Sequence, residues 1–459
     1  MKKFKYIAAQ VLLCCMVFSG CDKYLDVEPK GKQLLKTTND YDLWLNSSVL
    51  TSETNGENIT NLMTDNVDLV SLNNPPISLG ELVYTWAPQF TNDVTAITYL
   101  WGEHYRRISL YNTVLLGIDA AEGGTASQKN SIKAEALLGR AQSYFYLLNE
   151  YAKPYDAASV ATDLAVPFVT SDNVSQKAPG RSTSAEIYQH IFDDINTAIP
   201  NLPADNSNAK FRGSKAAAYS VLARVYLYRR EYSEALRCAE LALTNTRATM
   251  IDYTNSATFP TNANVVSHAD GIYSKTSAAA YSISAELKSM FASNDARRTV
   301  LYFNWASNVR GATQFYAQQV TPVFASTNSG TTVQEMHLIA AECAARSTNP
   351  TSLTTALSHL NEVRRNRYTG TPVTSRDFTS TSQSAVLDEV LAERRRELPF
   401  HGLRWFDMRR LDMENKMPAI TRTTAQNVIV ATLAPHSPRY TLQIPIQVTA
   451  FNPDMIQNP

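Results

Sequence analysis

The stretch Gly213–Leu243, GSKAAAYSVLARVYLYRREYSEALRCAELAL, decides the fold. Ala218, Leu222 and Val225 recur at i, i+4 and i+7, and Tyr232, Leu236, Ala239 and Leu243 repeat the pattern in the second half. Each spacing lays one apolar stripe along a helix. Arg229-Arg230-Glu231 supplies a polar turn between the two. The small residues Ala223, Ala235 and Ala242 stand where two antiparallel helices must come close. Such a pair cannot bury its apolar face alone, so it predicts further helix pairs stacked on it.

The three alanines have the spacing of the small positions in a tetratricopeptide repeat. Working outward, Leu100–Ile118 reads as a helix with Trp101, Tyr105, Ile108 and Leu115 on one face and Asn112 in the same stripe. A buried Asn requires hydrogen-bond partners, for which an adjoining loop backbone is suited. Ser131–Leu148 is its partner helix. Thr183-Ser184-Ala185-Glu186 opens another helix with a capping box. Val333–Arg346 and Ser352–Arg367 form a further pair, and Asp388–Leu398 is a charged helix ended by Pro399. The largest interruption, Ile251–Thr332, is rich in Ser, Thr, Asn, Ala and aromatic residues, and a loop of that length is commonly functional. The fold class predicted is mainly α: a tetratricopeptide-like helical repeat scaffold with long irregular insertions. The end of the chain, Tyr440–Pro459, reads as short and extended.

The 459 residues carry a formal net charge of +0 and no basic block, which argues against a nucleic-acid partner. Residues 1–20 read as a lipoprotein signal peptide. Lys2, Lys3 and Lys5 precede the apolar run Ile7–Phe18, which is too short to span a bilayer, and Ser19-Gly20 lead into Cys21. That order predicts lipidation at Cys21 and a membrane contact through an N-terminal lipid anchor. Of the five cysteines, Cys238 and Cys343 lie beyond this segment among alanines on helices. There a free thiol packs as a small hydrophobe, so no disulfide is expected. No His/Cys grouping has metal-ligand spacing, so neither a metal nor a cofactor is expected.

Taken together and in order, several stretches resemble the RagB/SusD family of Bacteroidetes outer-membrane lipoproteins. They are Cys21-Asp22-Lys23-Tyr24-Leu25-Asp26-Val27-Glu28-Pro29-Lys30-Gly31, then Trp101…Tyr105…Ile108…Asn112, then Glu393-Arg394-Arg395-Arg396-Glu397-Leu398 with Gly402-Leu403-Arg404-Trp405-Phe406-Asp407-Met408-Arg409-Arg410, and finally Ile444-Pro445-Ile446 with Asn452-Pro453. His401 stands where the family usually has an acidic residue. The resemblance implies one SusD-like domain over 21–459, with its large insertion at about 251–332 and a C-terminal signature segment at 388–459. It also implies a cell-surface, lipid-anchored protein of the outer membrane that binds an oligosaccharide ligand beside a SusC-like TonB-dependent porin and is not an enzyme. Two rivals are a lipid-anchored glycoside hydrolase on a helical scaffold and a peptide-capturing or scaffold lipoprotein that binds no sugar.

Glu393 and Glu397 share a helix face, and a hydrolase needs two carboxyls across a substrate. The surrounding arginines, three and four residues away, instead predict a structural ion-pair network. For sugar binding, flat C–H faces stack on Trp and Tyr while hydroxyls need amides or charged groups. Trp44, Trp101 and Trp405 are expected in the core. Trp86, beside Asn92 in Tyr84–Asp93, and Trp305, beside Tyr302 in the large insertion, are expected on loops. The expected glycan-binding residues are therefore Trp86, Asn92, Tyr302 and Trp305, brought together if the repeats curve.

Overall fold

A computed structural model of the chain describes residues 35–52, 57–69, 71–173, 176–177, 179–259, 264–278, 282–303, 314–315, 326–349 and 351–459. Cys21 and the signal segment, Tyr281 and Trp305 lie outside the described residues. Nine helices of nine residues or more form the scaffold among those described: α1 (Tyr99–Gly117), α2 (Ala126–Tyr151), α3 (Ser184–Ala198), α4 (Lys215–Tyr228), α5 (Tyr232–Asn245), α6 (Val333–Ala345), α7 (Ser352–Arg365), α8 (Gln383–Glu397) and α9 (Arg404–Asp412). Consecutive members pack as antiparallel pairs: α1 on α2, α2 on α3, α4 on α5, α5 on α6 and α6 on α7, with α8 laid across α6. This is the tetratricopeptide-like arrangement anticipated from Gly213–Leu243. No described helix is long and apolar enough to cross a membrane.

The α4–α5 pair follows its sequence pattern closely. Ser214 caps α4 by accepting from Ala217 N, and Arg230 adopts φ +61° in the three-residue turn. Ala223, Ala235 and Ala242 are fully buried, as are Ala218 and Val225. The expected capping box on α3 is present: Glu186 N donates to Thr183 Oγ1 at 3.2 Å, and Thr183 N donates to Glu186 Oε2 at 2.8 Å. Between α1 and α2 the backbones are close enough that a Cβ on Gly139 would stand 2.1 Å from Tyr111 Cζ. Cys238 and Cys343 are both free and buried.

Asn112 is buried in the α1 stripe and fully employed. Its Nδ2 donates to Val169 O at 2.9 Å and Ser171 O at 3.1 Å, and its Oδ1 accepts from Arg140 Nη1 at 3.0 Å. Arg140 in turn makes a bidentate pair with Asp194 on α3, at 2.8 and 2.7 Å. One amide therefore fixes the loop after α2 and steadies the arginine that joins α2 to α3.

The insertion between α5 and α6 is more structured than its composition suggests. Its ends are drawn together by two antiparallel ladders, Gly271–Tyr273 with Thr331–Thr332 and Thr276–Ala278 with Ser326–Asn328. A Cβ on Gly330 would meet Tyr273 O at 1.8 Å, so only glycine lets these backbones approach so closely. The ladders close the long excursion, and α6 restarts beside α5. The middle of the insertion contributes Ile283, Leu287, Phe291, Val300, Leu301 and Tyr302 to a second hydrophobic cluster, completed by Val67, Leu72, Tyr84 and Phe400. The chain's end also departs from expectation: Ile446–Phe451 is a short helix, started by Pro445, where an extended tail was predicted.

Ala235 is fully buried on α5, the helix that packs on α4. Ala235→Leu is expected to overpack the pair and cost about 1–3 kcal/mol. Urea unfolding followed by circular dichroism measures it; an unchanged midpoint would mean that the two helices part more easily than their burial implies.

Candidate functional site

The clustered charges of α8 and α9 are the first place to seek chemistry. Most of them are buried and paired with charges of opposite sign. Glu393 forms an ion pair with Arg297 Nη2 at 2.6 Å and accepts from Arg396 Nη2 at 2.6 Å, Arg364 Nη1 at 3.1 Å and Tyr368 Oη at 3.1 Å. Glu397 is held by Arg297 Nη1 at 2.8 Å and by Arg367 Nη2 at 2.7 Å. Asp407 takes Arg394 and Arg410, at 2.9 and 2.8 Å, and Arg410 Nη2 continues to Glu342 on α6 at 2.8 Å. Glu393 has no exposed surface and Glu397 retains 3%. Neither can face a substrate, so the ion-pair reading of this segment holds. His401 is half-buried, with Nδ1 2.7 Å from Asn328 O, and desolvation pushes its pKa below the ordinary imidazole value.

The expected glycan platform fares differently residue by residue. The short helix Leu79–Tyr84 is opened by a capping box, Ser78 with Glu81. It ends with Trp86 at φ +56°, a left-handed position that disfavours side chains larger than glycine. That turn carries the indole inward. Trp86 retains 3% of its surface, donates from Nε1 to Met63 O at 2.8 Å, and has the Arg422 guanidinium 4.6 Å from its ring centroid. Trp86 is therefore corrected from a loop platform to a core residue. Tyr302 retains 2% and packs edge-on against Phe291 at 5.5 Å; it too is a core residue and not an exposed ring. The two regions do approach each other, since Tyr84 and Tyr302 share the second hydrophobic cluster. They meet as a foundation beneath the surface.

Sequence reasoning missed the residue that builds this foundation. Arg422, in the strand Ile420–Thr423, is buried among carbonyls: it donates to Thr64 O at 2.7 Å, Tyr84 O at 3.1 Å and Val67 O at 3.3 Å. Its guanidinium also lies 3.9 Å from the centre of the Tyr84 ring. Asp65, in the same segment, takes a bidentate pair from Arg404 at 2.8 and 2.6 Å. Burial alone would raise the Asp65 pKa, but Arg404, Arg395 and Arg422 hold it down at about 2.

Of the four expected residues, Asn92 is exposed, on the loop between Leu79–Tyr84 and α1. This loop borders an open groove of about 780 Å³ between the start of α1 and the C-terminal helix Ile446–Phe451. Its apolar part includes Ile97, Tyr105 and Phe451, and its polar part includes Arg106, Gln447 and Asn452. Phe451 is 75% exposed and Ile97 68% exposed. Tyr105 is anchored by its hydroxyl, which donates to Pro167 O at 2.7 Å, leaving its ring half-buried. Apolar faces beside amides and a guanidinium are the components a sugar-binding surface requires. The sequence signal for this side of the groove was Pro445 ahead of a short apolar run, a helix start.

Comparison with known proteins places this geometry among relatives. A SusD-like family model described as "Starch-binding associating with outer membrane" matches residues 23–227, and a SusD family model matches residues 333–459. SusD-like protein P2 of Formosa agariphila is 26% identical over 253 residues, which is 53% of this chain and 47% of the relative. A SusD-like protein of Bacteroides ovatus is 30% identical over 151 residues, 31% of this chain and 25% of the relative. The matches thus span about half and a quarter of these curated relatives. In fold, a SusD superfamily protein of Bacteroides thetaiotaomicron superposes with a TM-score of 0.73 at 21% identity, covering 92% of this chain and 100% of that one. Surface glycan-binding protein A of Bacteroides uniformis does so with a TM-score of 0.68 at 19% identity, covering 92% and 99%.

Asp65 provides a test of the foundation. Its folded pKa lies below the unfolded value of roughly 4, so its contribution to stability is present above that pH and lost as pH falls toward 2. Asp65→Asn leaves the Arg404 charge buried without a carboxylate and is expected to cost about 3–5 kcal/mol at neutral pH. It should also flatten the acid limb of a stability-against-pH curve measured by thermal melting. An acid limb identical to that of the unmodified protein would assign the acid sensitivity to other carboxylates.

Proposed function

We propose that this chain, which belongs to the SusD/RagB family, is a glycan-binding lipoprotein of the outer membrane that holds an oligosaccharide for a SusC-like TonB-dependent porin. The observation that carries this reading is the co-occurrence of both family matches on one helical repeat scaffold. The names of its relatives, starch-binding and glycan-binding, supply the ligand class. The burial of Glu393 and Glu397 supports binding over hydrolysis, because the carboxylate pair nearest to a glycosidase arrangement is spent on arginines. On this reading Asn92 bonds sugar hydroxyls at the edge of the surface and Trp305 stacks on a ring, while Trp86 and Tyr302 support the surface from below.

Such a protein must bind and then release. Stacking with a few hydrogen bonds gives modest affinity, which suits transfer to a porin. Calorimetric titration of starch-derived and other oligosaccharides, followed by Trp305→Ala and Asn92→Ala, tests the assignment. Trp305→Ala should cost at least about 1 kcal/mol of binding and Asn92→Ala about 0.5–1.5 kcal/mol, each with an unchanged circular dichroism spectrum. Wild-type binding by both variants would move the site elsewhere; no binding of any glycan by the parent, with porin association retained, would favour the scaffold reading.

The anchor has its own test. Two or more acyl chains at Cys21 hold a protein stably on a membrane, whereas one does so marginally. Cys21→Ala is expected to shift the processed protein from the membrane to the soluble fraction. Retention in the membrane fraction after signal removal would contradict lipid anchoring.

A further inference from the structure

Two histidines meet on the outside of the repeat scaffold in a way that glycan binding does not use. His337 on α6 and His359 on α7 point their Nδ1 atoms at each other across the helix pair, 2.9 Å apart. Their rings are tilted by 51°, with centroids 5.2 Å apart. Both are half-buried. The third helix packed at this point, α5, brings Glu240, whose Oε1 lies 3.9 Å from His359 Nε2 and which is half exposed.

The charge beside the pair favours one tautomer assignment. Glu240 favours a proton on His359 Nε2, which leaves His359 Nδ1 as a lone pair. The bond across the gap is then donated by His337 Nδ1–H. Both rings are neutral near pH 7. Burial and the proximity of His359 hold His337 down at about 4, and burial also lowers His359 against the attraction of Glu240 and Glu362. A neutral imidazole whose far nitrogen faces a carboxylate is the usual state of a metal-ligating histidine. Two nitrogens bound to one ion at about 2.0–2.1 Å are roughly 2.8–3.4 Å apart, and the pair is already at the short end of that range.

We propose that His337 and His359 form a two-histidine site for a borderline-soft divalent transition-metal ion, bound through both Nδ1 atoms and oriented by Glu240. On binding, the proton of His337 leaves Nδ1 and the ring re-protonates on Nε2, so both rings stay neutral. Among the described residues no cluster of three or more His, Cys, Asp and Glu has ligand geometry, so solvent fills the remaining positions. Two protein ligands make a modest site whose metal preference follows the intrinsic order for nitrogen donors, Cu²⁺ above Ni²⁺ and Zn²⁺, with Ca²⁺ and Mg²⁺ excluded. The ion would cross-link α6 to α7 and stiffen the repeat pair.

The experiment is calorimetric titration of the full chain, without a histidine tag, with Cu²⁺, Ni²⁺, Zn²⁺ and Ca²⁺ at pH 7.5. One ion per chain, bound in the stated order and raising the melting temperature, is expected. His337→Gln and His359→Gln should each weaken Ni²⁺ and Zn²⁺ binding at least ten-fold, while His436→Gln, on the far C-terminal segment, should not change it. Glu240→Gln should weaken binding less than either histidine change. Electron paramagnetic resonance of the Cu²⁺-loaded unmodified chain reads the ligands without any mutation, and two equivalent nitrogens are expected. Binding retained by both histidine variants, a spectrum without two imidazole nitrogens, or no binding at all would overturn the assignment.

Discussion

A buried guanidinium cannot be left without acceptors, and this constraint governs how the helices of this protein are joined. Arg224 on α4 reaches Glu335 on α6 with two bonds of 2.6 Å, and both side chains have 1% of their surface exposed. Arg410 on α9 joins Asp407 to Glu342 on α6, and Arg297 in the insertion binds Glu393 and Glu397 on α8. Each pair fixes the rotation and height of one element against another. Such pairs add little net stability over apolar packing, because desolvation offsets most of the attraction, but removing one partner strands a charge. The network therefore acts chiefly on geometry: alternative stackings of alanine-rich helices would leave charges unpaired.

That use of charge has a consequence for chemistry. Asp65, Glu342, Glu393 and Asp407, locked among arginines, have pKa values held below the usual carboxylate range, the reverse of the pKa separation that acid–base catalysis needs. The interior of the scaffold is thus spent on architecture. What remains for ligands is the surface above the second hydrophobic cluster and the groove between α1 and the C-terminal helix. Arg422 illustrates the division. Its hydrogen bonds go to backbone carbonyls and its guanidinium faces two aromatic rings, and in this way it holds residues 62–86 against the strand Ile420–Thr423.

The two family matches lie on either side of residues 228–332. The insertion is carried by the ladder near Gly330, which returns the chain to α6 whatever lies between its ends. A repeat scaffold with a clamped excursion can change its binding surface without disturbing its helix pairs.

Periodicity alone determined the helix pairs, the α4–α5 turn, the capping box at Thr183 and the packing of Cys238 and Cys343, because stripes and caps are local patterns that report which side of a helix is buried. The clustered charges of Glu393–Arg410 were legible as an ion-pair segment from their density, and Glu393–Arg396 and Asp407–Arg410 do pair at helical spacing, but most partners, including Arg297, Arg364, Arg367 and Glu342, come from other elements. Tertiary structure decided the candidate site. Trp86 and Tyr302 look like loop aromatics in sequence, and only the left-handed turn at Trp86, the reach of Arg422 and the cluster formed with Phe291 draw them under the surface. The pairing of α1 with the C-terminal helix across the groove and the meeting of His337 with His359 were likewise decided by tertiary structure. The groove joins α1 to a C-terminal helix distant in sequence; α6 and α7 are consecutive, but which of their side chains meet is set by how each helix is rotated, and a side chain's exposure is set by what packs over it from elsewhere in the chain.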